Sequence, residues 1–432
     1  MAELQPFCGY RFKLKHPAEL ERFIAPPYDM LTREMIDDLY NKDEHNIVRV
    51  TQNRPQGSDT SNSQRHVRAA AELSSWIDLG VLKQDDDPSI YVYDQKFMNN
   101  DGSGIKEVVR TGVVVLVKLV DFEDKVVLPH EATLTGPKKD RYELLDACRT
   151  HTEQIFGLLD DDGRFYSLLR SLVGKNPDGQ FTDINGVVHS LYRCNDKKAI
   201  DALVGLARDR TVLIADGHHR YETALNFYRD NPDPAYAFTM MTLVSTADPG
   251  LLIRPFHRLV RQTGRSIDMH DELSRYFVLK DLGDIDEKTI FRFTGAGDSS
   301  DFLFLDNMRR RMFACDLNEN GKQRLESIFP EKSTTWKHLP VSIINAIVIN
   351  TILALPLDGH VLHDVIEYVN DIPSGAARCM DKNEFYGGFF IRPSTIDTVG
   401  RIVASGERMP QKSTNFFPKM YSGLVLHKMN GR

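Results

Sequence analysis

The sequence predicts an α/β chain of the mixed α+β kind. A main domain spans 1–265 and a smaller charged α+β segment, inserted or appended, spans 266–335. A C-terminal part, 336–432, returns to the core and completes the site. Three observations predict this. Apolar runs of strand length alternate with helix-period segments between Thr32 and Ser245. Charges and glycine turns then dominate from Ile267 to Glu331. Core-like patterning resumes at Val341. With 432 residues, 41% hydrophobic and 27% charged, the chain is long enough for two or three domains and lacks a disordered composition.

The elements follow in order. Pro26 and Pro27 stiffen the Ile24–Asp29 turn, and Thr32 caps a helix to Tyr40 that buries Met35, Ile36 and Leu39. Asn46 to Thr51 reads as a strand carrying Arg49, and 54–63 as a polar loop. Gln64 to Leu79 is helical, with Ala69, Leu73, Trp76 and Ile77 on one face. Strands at Ile90–Phe97 and Val108–Leu119 flank an Asn100-Asp101-Gly102 turn signal. Alternation continues through Leu144–Leu159 and Arg164–Val173. A strand is expected at Val212–Ala215, a helix from His218, and another strand at Tyr236–Ser245. Phe302–Leu305 and Met312–Leu317 read as a hairpin. The last expected elements are a Val341–Leu355 helix, a Gly387–Ile391 strand, an Ile396–Ala404 helix and a Gly423–Leu426 strand.

Bulk properties exclude several classes. Net charge is −7, which gives no help to duplex nucleic acid, although a local basic pocket for a small anion remains open. Five scattered cysteines show neither a disulfide framework nor a paired-cysteine zinc site, so a reducing, cytoplasmic setting is expected. The first residues lack the apolar region of a signal peptide. The longest apolar stretch, Val341–Leu357, is too short and polar to span a bilayer, so no membrane partner is expected. Homo-oligomerisation is left open.

The most informative stretch is Thr211 to Leu225. A buried strand ends at Asp216-Gly217, where glycine permits a tight turn, and a helix begins. That corner sets His218, His219 and Arg220 in the first helical turn, where free N–H groups and the helix dipole already favour an anion. The plain alternative is an Asp216 cap with three solvent-facing side chains. His218 and Glu222, at i and i+4, have the spacing of a two-ligand metal contact, but no His-Glu-x-x-His or paired cysteines accompany them.

A second cluster runs from Leu128 to Arg141. His130 and Glu131 follow an apolar segment, and Lys138 and Arg141 share a face if a helix starts at Pro137, an arrangement suited to clamping phosphate. A third runs from Met409 to Lys419, where Lys412-Ser413-Thr414 resembles the tail of a phosphate loop without its glycine. Asp248-Pro249-Gly250-Leu251 with Pro255-Phe256-His257-Arg258 forms a weaker fourth group, because a lone His257 is usually a core histidine. Gly102-Ser103-Gly104 and Gly295-Ala296-Gly297 fail the dinucleotide fingerprint, and no serine-hydrolase elbow is present.

Four ordered motifs now resemble one family. They are Ala25-Pro26-Pro27-Tyr28-Asp29; Leu128-Pro129-His130-Glu131 with Gly136-Pro137-Lys138 and Asp140-Arg141; Ala215 through Glu222; and Met409-Pro410 through Lys419. Together they are similar to the uncharacterised family "domain of unknown function 1015". The chain departs from that pattern at Asn415 and Phe417, where aromatics carrying hydroxyls are expected. More distantly, Asp216-Gly217-His218-His219-Arg220 resembles the nucleotide-phosphate motif of the ParB/sulfiredoxin superfamily, which includes free-serine kinases, sulfiredoxins and CTP-binding partition proteins. The resemblance implies a ParB/sulfiredoxin-like nucleotide-binding core.

The resulting expectation is a nucleotide-dependent kinase that phosphorylates a small hydroxylated metabolite, free serine first, with ATP or ADP as co-substrate. Mg²⁺ is expected to be held through the phosphates rather than by protein ligands alone. Asp216, Gly217, His218, His219, Arg220, Lys138, Arg141, Lys412, Ser413, Thr414 and Lys419 are the candidate phosphate contacts. Asp29, Glu222 and His130 are the candidate acid–base groups, and Tyr28, Arg49 and Glu131 the candidate substrate contacts. A phosphoester hydrolase using the same anion pocket and a non-catalytic nucleotide-binding regulator are the alternatives. Sulfiredoxin chemistry is disfavoured, since no cysteine lies close to the motif.

Overall fold

In the computed structural model, the described residues are all except 58, 60, 62, 101–103, 132–134, 296–298, 358, 382 and 430–432, with the side chains of 135–137, 359–360 and 363 also left aside. The Asp101-Gly102 turn signal lies outside the described residues, yet the strands it joins pair antiparallel up to Asn100 opposite Ile105.

The fold is mixed α+β. Its larger sheet runs Val127–Pro129, Val212–Asp216, Ile155–Leu159, Phe238–Ser245, Ile105–Lys118, Ile90–Asn100, Val188–Cys194, Gly179–Thr182. Two neighbouring pairs are parallel, Val212–Asp216 with Val127–Pro129 and Phe238–Ser245 with Ile155–Leu159; the others are antiparallel. The centre is buried on both faces, so its strands read as unbroken apolar runs such as Val113–Val117. One face packs on Leu73, Trp76, Phe416 and Val425, the other on Phe165, Leu203, Tyr221 and Phe227.

A second, antiparallel sheet runs Phe277–Asp284, Arg311–Leu317, Phe302–Asp306, Phe385–Phe390, His257–Arg261, Ile366–Val369. Its strands come from a wider stretch than 266–335. The expected hairpin is there, with Phe302 opposite Cys315 and Asp306 opposite Arg311. A short ladder, Leu252–Arg254 against Asn415–Phe417, stands apart from both sheets.

Three expectations are corrected. Asn46–Thr51 is not a strand, since Val48–Thr51 forms a helical turn. Asn46 Oδ1 accepts from Val48 N–H at 3.0 Å while Asn46 Nδ2 donates to the carbonyls of Arg22 and Ile24, so tertiary bonds override the alternating pattern. The Val341–Leu355 helix is a short α-turn, Pro340–Ile343, followed by a π-helix, Ile344–Ile352. There Thr351 Oγ1 donates to the carbonyl of Ala346, five residues back. Gly423–Leu426 is not a strand. Gly423 sits at φ 86° against Ile47, and pairing moves to His427–Lys428 beside Thr150–His151.

Among the described residues no helix is long and apolar enough to cross a membrane. All five cysteines are free thiols.

Candidate functional site

The Val212–Asp216 strand and the His218–Asp230 helix meet at the expected corner. Gly217 is the N-cap at φ 90°, a left-handed conformation that a side chain strains, and a Cβ there would meet the Arg220 guanidinium at 2.9 Å. No side chain caps the helix. Asp216 Oδ1 instead accepts from Gly217 N–H at 2.8 Å, and Lys419 Nζ donates to Asp216 Oδ2 at 2.8 Å. Burial works to raise the Asp216 carboxyl, but Lys419 and Arg220 hold it well below the usual carboxylate range.

The three expected cations narrow to one. His218 is buried and its Nε2 accepts from the backbone N–H of His130 at 3.3 Å. Burial, then the neighbouring His130, pushes its pKa down to about 3, so it stays neutral. Burial and Lys138 lower His219 as well. Arg220 remains charged. Burial opposes its charge, while Glu153, Asp216 and Asp29 favour it. Its guanidinium donates to the carbonyl of Gln154 and lines a small cavity of about 50 Å³ with Arg141, Glu153 and Thr223. His218 and Glu222 do not converge on a metal, because Glu222 pairs with Lys138.

The Leu128–Arg141 cluster is closed on itself. His130 is 1% exposed; its Nδ1 donates to the carbonyl of Ile214 and its Nε2 lies 2.7 Å from Thr414 Oγ1. Both ring nitrogens are engaged in structure, which corrects its candidacy as an acid–base group. Glu131 Oε1 accepts from the backbone N–H groups of Ser413 and Thr414 at 3.1 and 3.2 Å and from Thr414 Oγ1. Burial would raise its carboxyl, but His130 and the Thr414 N–H hold it down to about 2. Glu131 therefore anchors 413–414 rather than a substrate, and the buried Ser413 and Thr414 are not a phosphate-loop tail. Lys138 pairs with Glu222. Arg141 pairs with Asp140, donates to the carbonyl of Thr51 and lies 4.3 Å over the Tyr28 ring. Arg49 donates to the carbonyl of Tyr40 and covers its ring, so it ties one helix to the next turn and does not line the cavity described below.

The open chemistry lies elsewhere. A cavity of about 750 Å³ opens between the two sheets, walled by Asp29, Arg254, Phe256, Tyr368, Lys412 and Lys419 among others. Asp29 is exposed on the cavity wall, with protein crowded around its carboxyl. Burial and then the charge of Asp216 raise its pKa, against the pull of Arg220 and Lys419. Tyr28 precedes it; its backbone N–H donates to Glu153 Oε1 at 3.2 Å, and burial with Asp29 pushes its hydroxyl up to about 12. Lys412, at φ 57°, sets its ammonium 5.3 Å from the centre of the Phe256 ring, and no carboxylate pairs with it among the described residues. Phe256 and Tyr368 meet edge to face, with centroids 6.1 Å apart and planes at 78°.

Behind this wall, Arg110 is 1% exposed and commits its guanidinium to Gln95 Oε1 and to the carbonyls of Phe417 and Pro418. Gln95 Nε2 donates to the carbonyl of Lys419 at 2.8 Å. The two side chains fix the backbone that carries Lys419. Burial pushes the Arg110 pKa down to about 10.

Sequence reasoning missed Arg110, Gln95, Glu153, Arg254 and Tyr368. Only Arg254 stood beside a noted motif, Pro255-Phe256-His257-Arg258. His257 itself is a core histidine, 1% exposed and pushed down to about 3 by burial and Arg258, with its Nδ1 accepting from Ile391 N–H.

Residues 4–342 match the family model described as "Protein of unknown function (DUF1015)", and the chain belongs to that family. No curated protein matches it. Among solved structures, it is similar to a free serine kinase in complex with AMP (13% identity over 71% of this chain and 90% of that one, TM-score 0.33). It is also similar to a conserved hypothetical protein from Pyrococcus furiosus (14%, 71% and 93%, TM-score 0.33). A third likeness is to SbnI with a C-terminal truncation from Staphylococcus aureus (8%, 71% and 84%, TM-score 0.34).

Proposed function

We propose that this protein is a nucleotide-dependent phosphotransferase that phosphorylates a small hydroxylated metabolite, free serine being the first acceptor to test. The observation that carries the reading is the wall of the large cavity. There a carboxylate with raised proton affinity, Asp29, stands with Lys412 and the Lys419–Asp216 pair. The likeness of Asp216 to Arg220 to a nucleotide-phosphate motif supports it. Phosphoryl transfer asks a protein mainly for alignment and charge neutralisation.

In this reading Lys412 and Lys419 hold the phosphates of ATP or ADP, and Phe256 and Tyr368 offer faces to the base. Asp29 takes the proton of the acceptor hydroxyl while that oxygen bonds to the terminal phosphorus. The bond from phosphorus to the bridging oxygen breaks, and the nucleotide leaves one phosphate shorter. A raised pKa makes Asp29 a better base than an ordinary carboxylate. Among the described residues, the one group of three potential ligands to a metal is Asp268, His270 and Asp271, away from these residues in sequence and absent from the cavity wall. In this reading Mg²⁺ would arrive on the nucleotide and neutralise its phosphate oxygens, with Asp29 the carboxylate at hand. Glu222, held by Lys138, is replaced by Asp29 as the base. A cytoplasmic setting, which supplies nucleotide and Mg²⁺, accords with this role.

The test is incubation with ATP or ADP, Mg²⁺ and a pool of hydroxylated metabolites, with products read by mass spectrometry. Phosphorylated acceptor that disappears in Asp29→Asn is the expected result. Nucleotide consumption independent of every acceptor overturns the reading.

A further inference from the structure

We infer that the short ladder Leu252–Arg254 / Asn415–Phe417 reads the acceptor, with Arg254 taking an anionic group and the Asn415 carbonyl a neighbouring hydroxyl or amine. The inference rests on the phosphotransferase reading for the word acceptor, but its geometry stands without it.

Arg254 and Asn415 are directly opposite in the antiparallel ladder, so both project from the same face. The Arg254 guanidinium lies 3.5 Å from the centre of the Phe417 ring, within stacking distance. It lines the large cavity and also a second one, about 430 Å³, and so stands at their common border. Among the described residues it has no hydrogen-bond or ion-pair partner, although Asp371 is near enough to favour its charge and burial disfavours it. The guanidinium is half-buried and stacked on Phe417, and its hydrogen-bond donors stand at the cavity border, where an oxyanion would complete them. Its planar fork matches carboxylate or phosphate in two parallel hydrogen bonds, which a lysine cannot reproduce.

Asn415 supplies an independent sign. It is 4% exposed and lines the large cavity, yet its Oδ1 has no partner. A buried carbonyl left unpaired is costly, and a ligand donor would remove that cost. An anion-taking group and a donor-seeking group on one face describe a small acid that also carries a hydroxyl or amine. Lys412 and Lys419 are left for the nucleotide.

The experiment uses the full chain with Arg254→Lys and Arg254→Ala, each checked for an unchanged melting temperature. With L-serine and its neutral amide as paired acceptors, the KM for serine is expected to rise about 10-fold in Arg254→Lys and about 100-fold in Arg254→Ala, with the nucleotide KM unmoved. Both variants are expected to lose the preference of the wild type for serine over the amide. An equal rise in the nucleotide KM, or an unmoved acceptor KM, overturns the inference. If the wild type transfers no phosphate, the kinase reading fails separately, and O-phosphoserine binding by calorimetry decides the ladder. Binding lost in Arg254→Ala sustains the inference; equal binding by both proteins, or none by the wild type, overturns it.

Discussion

Two basic clusters look alike in the sequence and behave oppositely in the fold. Between Leu128 and Arg141, every described charge finds a partner inside the protein. Lys138 meets Glu222, Arg141 meets Asp140 and the Thr51 carbonyl, and Glu131 meets the backbone of Ser413 and Thr414. Around the cavity, Lys412 and Arg254 face open space without a carboxylate partner among the described residues, and Asp29 is crowded by a like charge. The first cluster is a clasp that ties the C-terminal segment to the corner; the second is a surface still lacking its counter-charges. Charge density in a sequence marks neither role, since only the pairing separates them.

The largest effect that can break this contrast comes from the carboxylates. Asp29→Asn is expected to lower kcat by about 10²- to 10⁴-fold, the usual contribution of a positioned base, whereas Glu222→Gln leaves kcat nearly unchanged and lowers the melting temperature. The lysines come next. Lys412→Ala raises the nucleotide KM about 10- to 100-fold through the loss of a charge-assisted contact, while Lys138→Ala shifts stability and not KM. If Lys138→Ala matched Lys412→Ala, the clasp would be part of the binding surface and the contrast would fail.

The smallest effects are in pH. Asp29 must be ionised to accept a proton, so kcat falls on acidification at a pH above that of an ordinary carboxylate, a limb that Asp29→Asn removes. Stability follows the clasp. Glu131, at about 2 in the fold against about 4.3 in the unfolded chain, contributes stability that is present above the unfolded value and lost as pH falls towards the folded one. His218 and His257, held neutral down to about 3, begin to cost stability earlier, as the unfolded chain takes up protons below about pH 6.5. Denaturant midpoints are expected to fall on acidification first through the histidines, below about pH 6.5, and then through Glu131, below about pH 4.3, and His257→Asn flattens the upper part.

Much of the main sheet was legible because its strands and helices announce themselves locally. Val212–Asp216, the Gly217 turn and the His218–Asp230 helix stand where periodicity puts them, and Thr32 caps its helix by accepting from Met35 N–H. Three places were not legible for tertiary reasons. Asn46 turns a strand pattern into a helical turn through carbonyls some 20 residues away. The π-helix rests on backbone bonds reaching one residue further than the apolar period implies, such as Leu353 N–H to the carbonyl of Val348. At the site, the motifs located the corner and the Lys412–Lys419 segment, but burial inverted the expected roles of His218 and His130. Arg254 was invisible because nothing in Leu252-Ile253-Arg254 shows that a ring lies under the guanidinium or that two cavities meet beside it.

Arg110 has a consequence for how the pocket breathes. Its guanidinium holds the carbonyls of Phe417 and Pro418 from within the sheet, so lifting this stretch would strand a cation in a dry interior. The irregular rim is thereby made as reluctant to open as the strands beneath it. Amide exchange at Phe417 and Lys419 should keep pace with Val113–Val117.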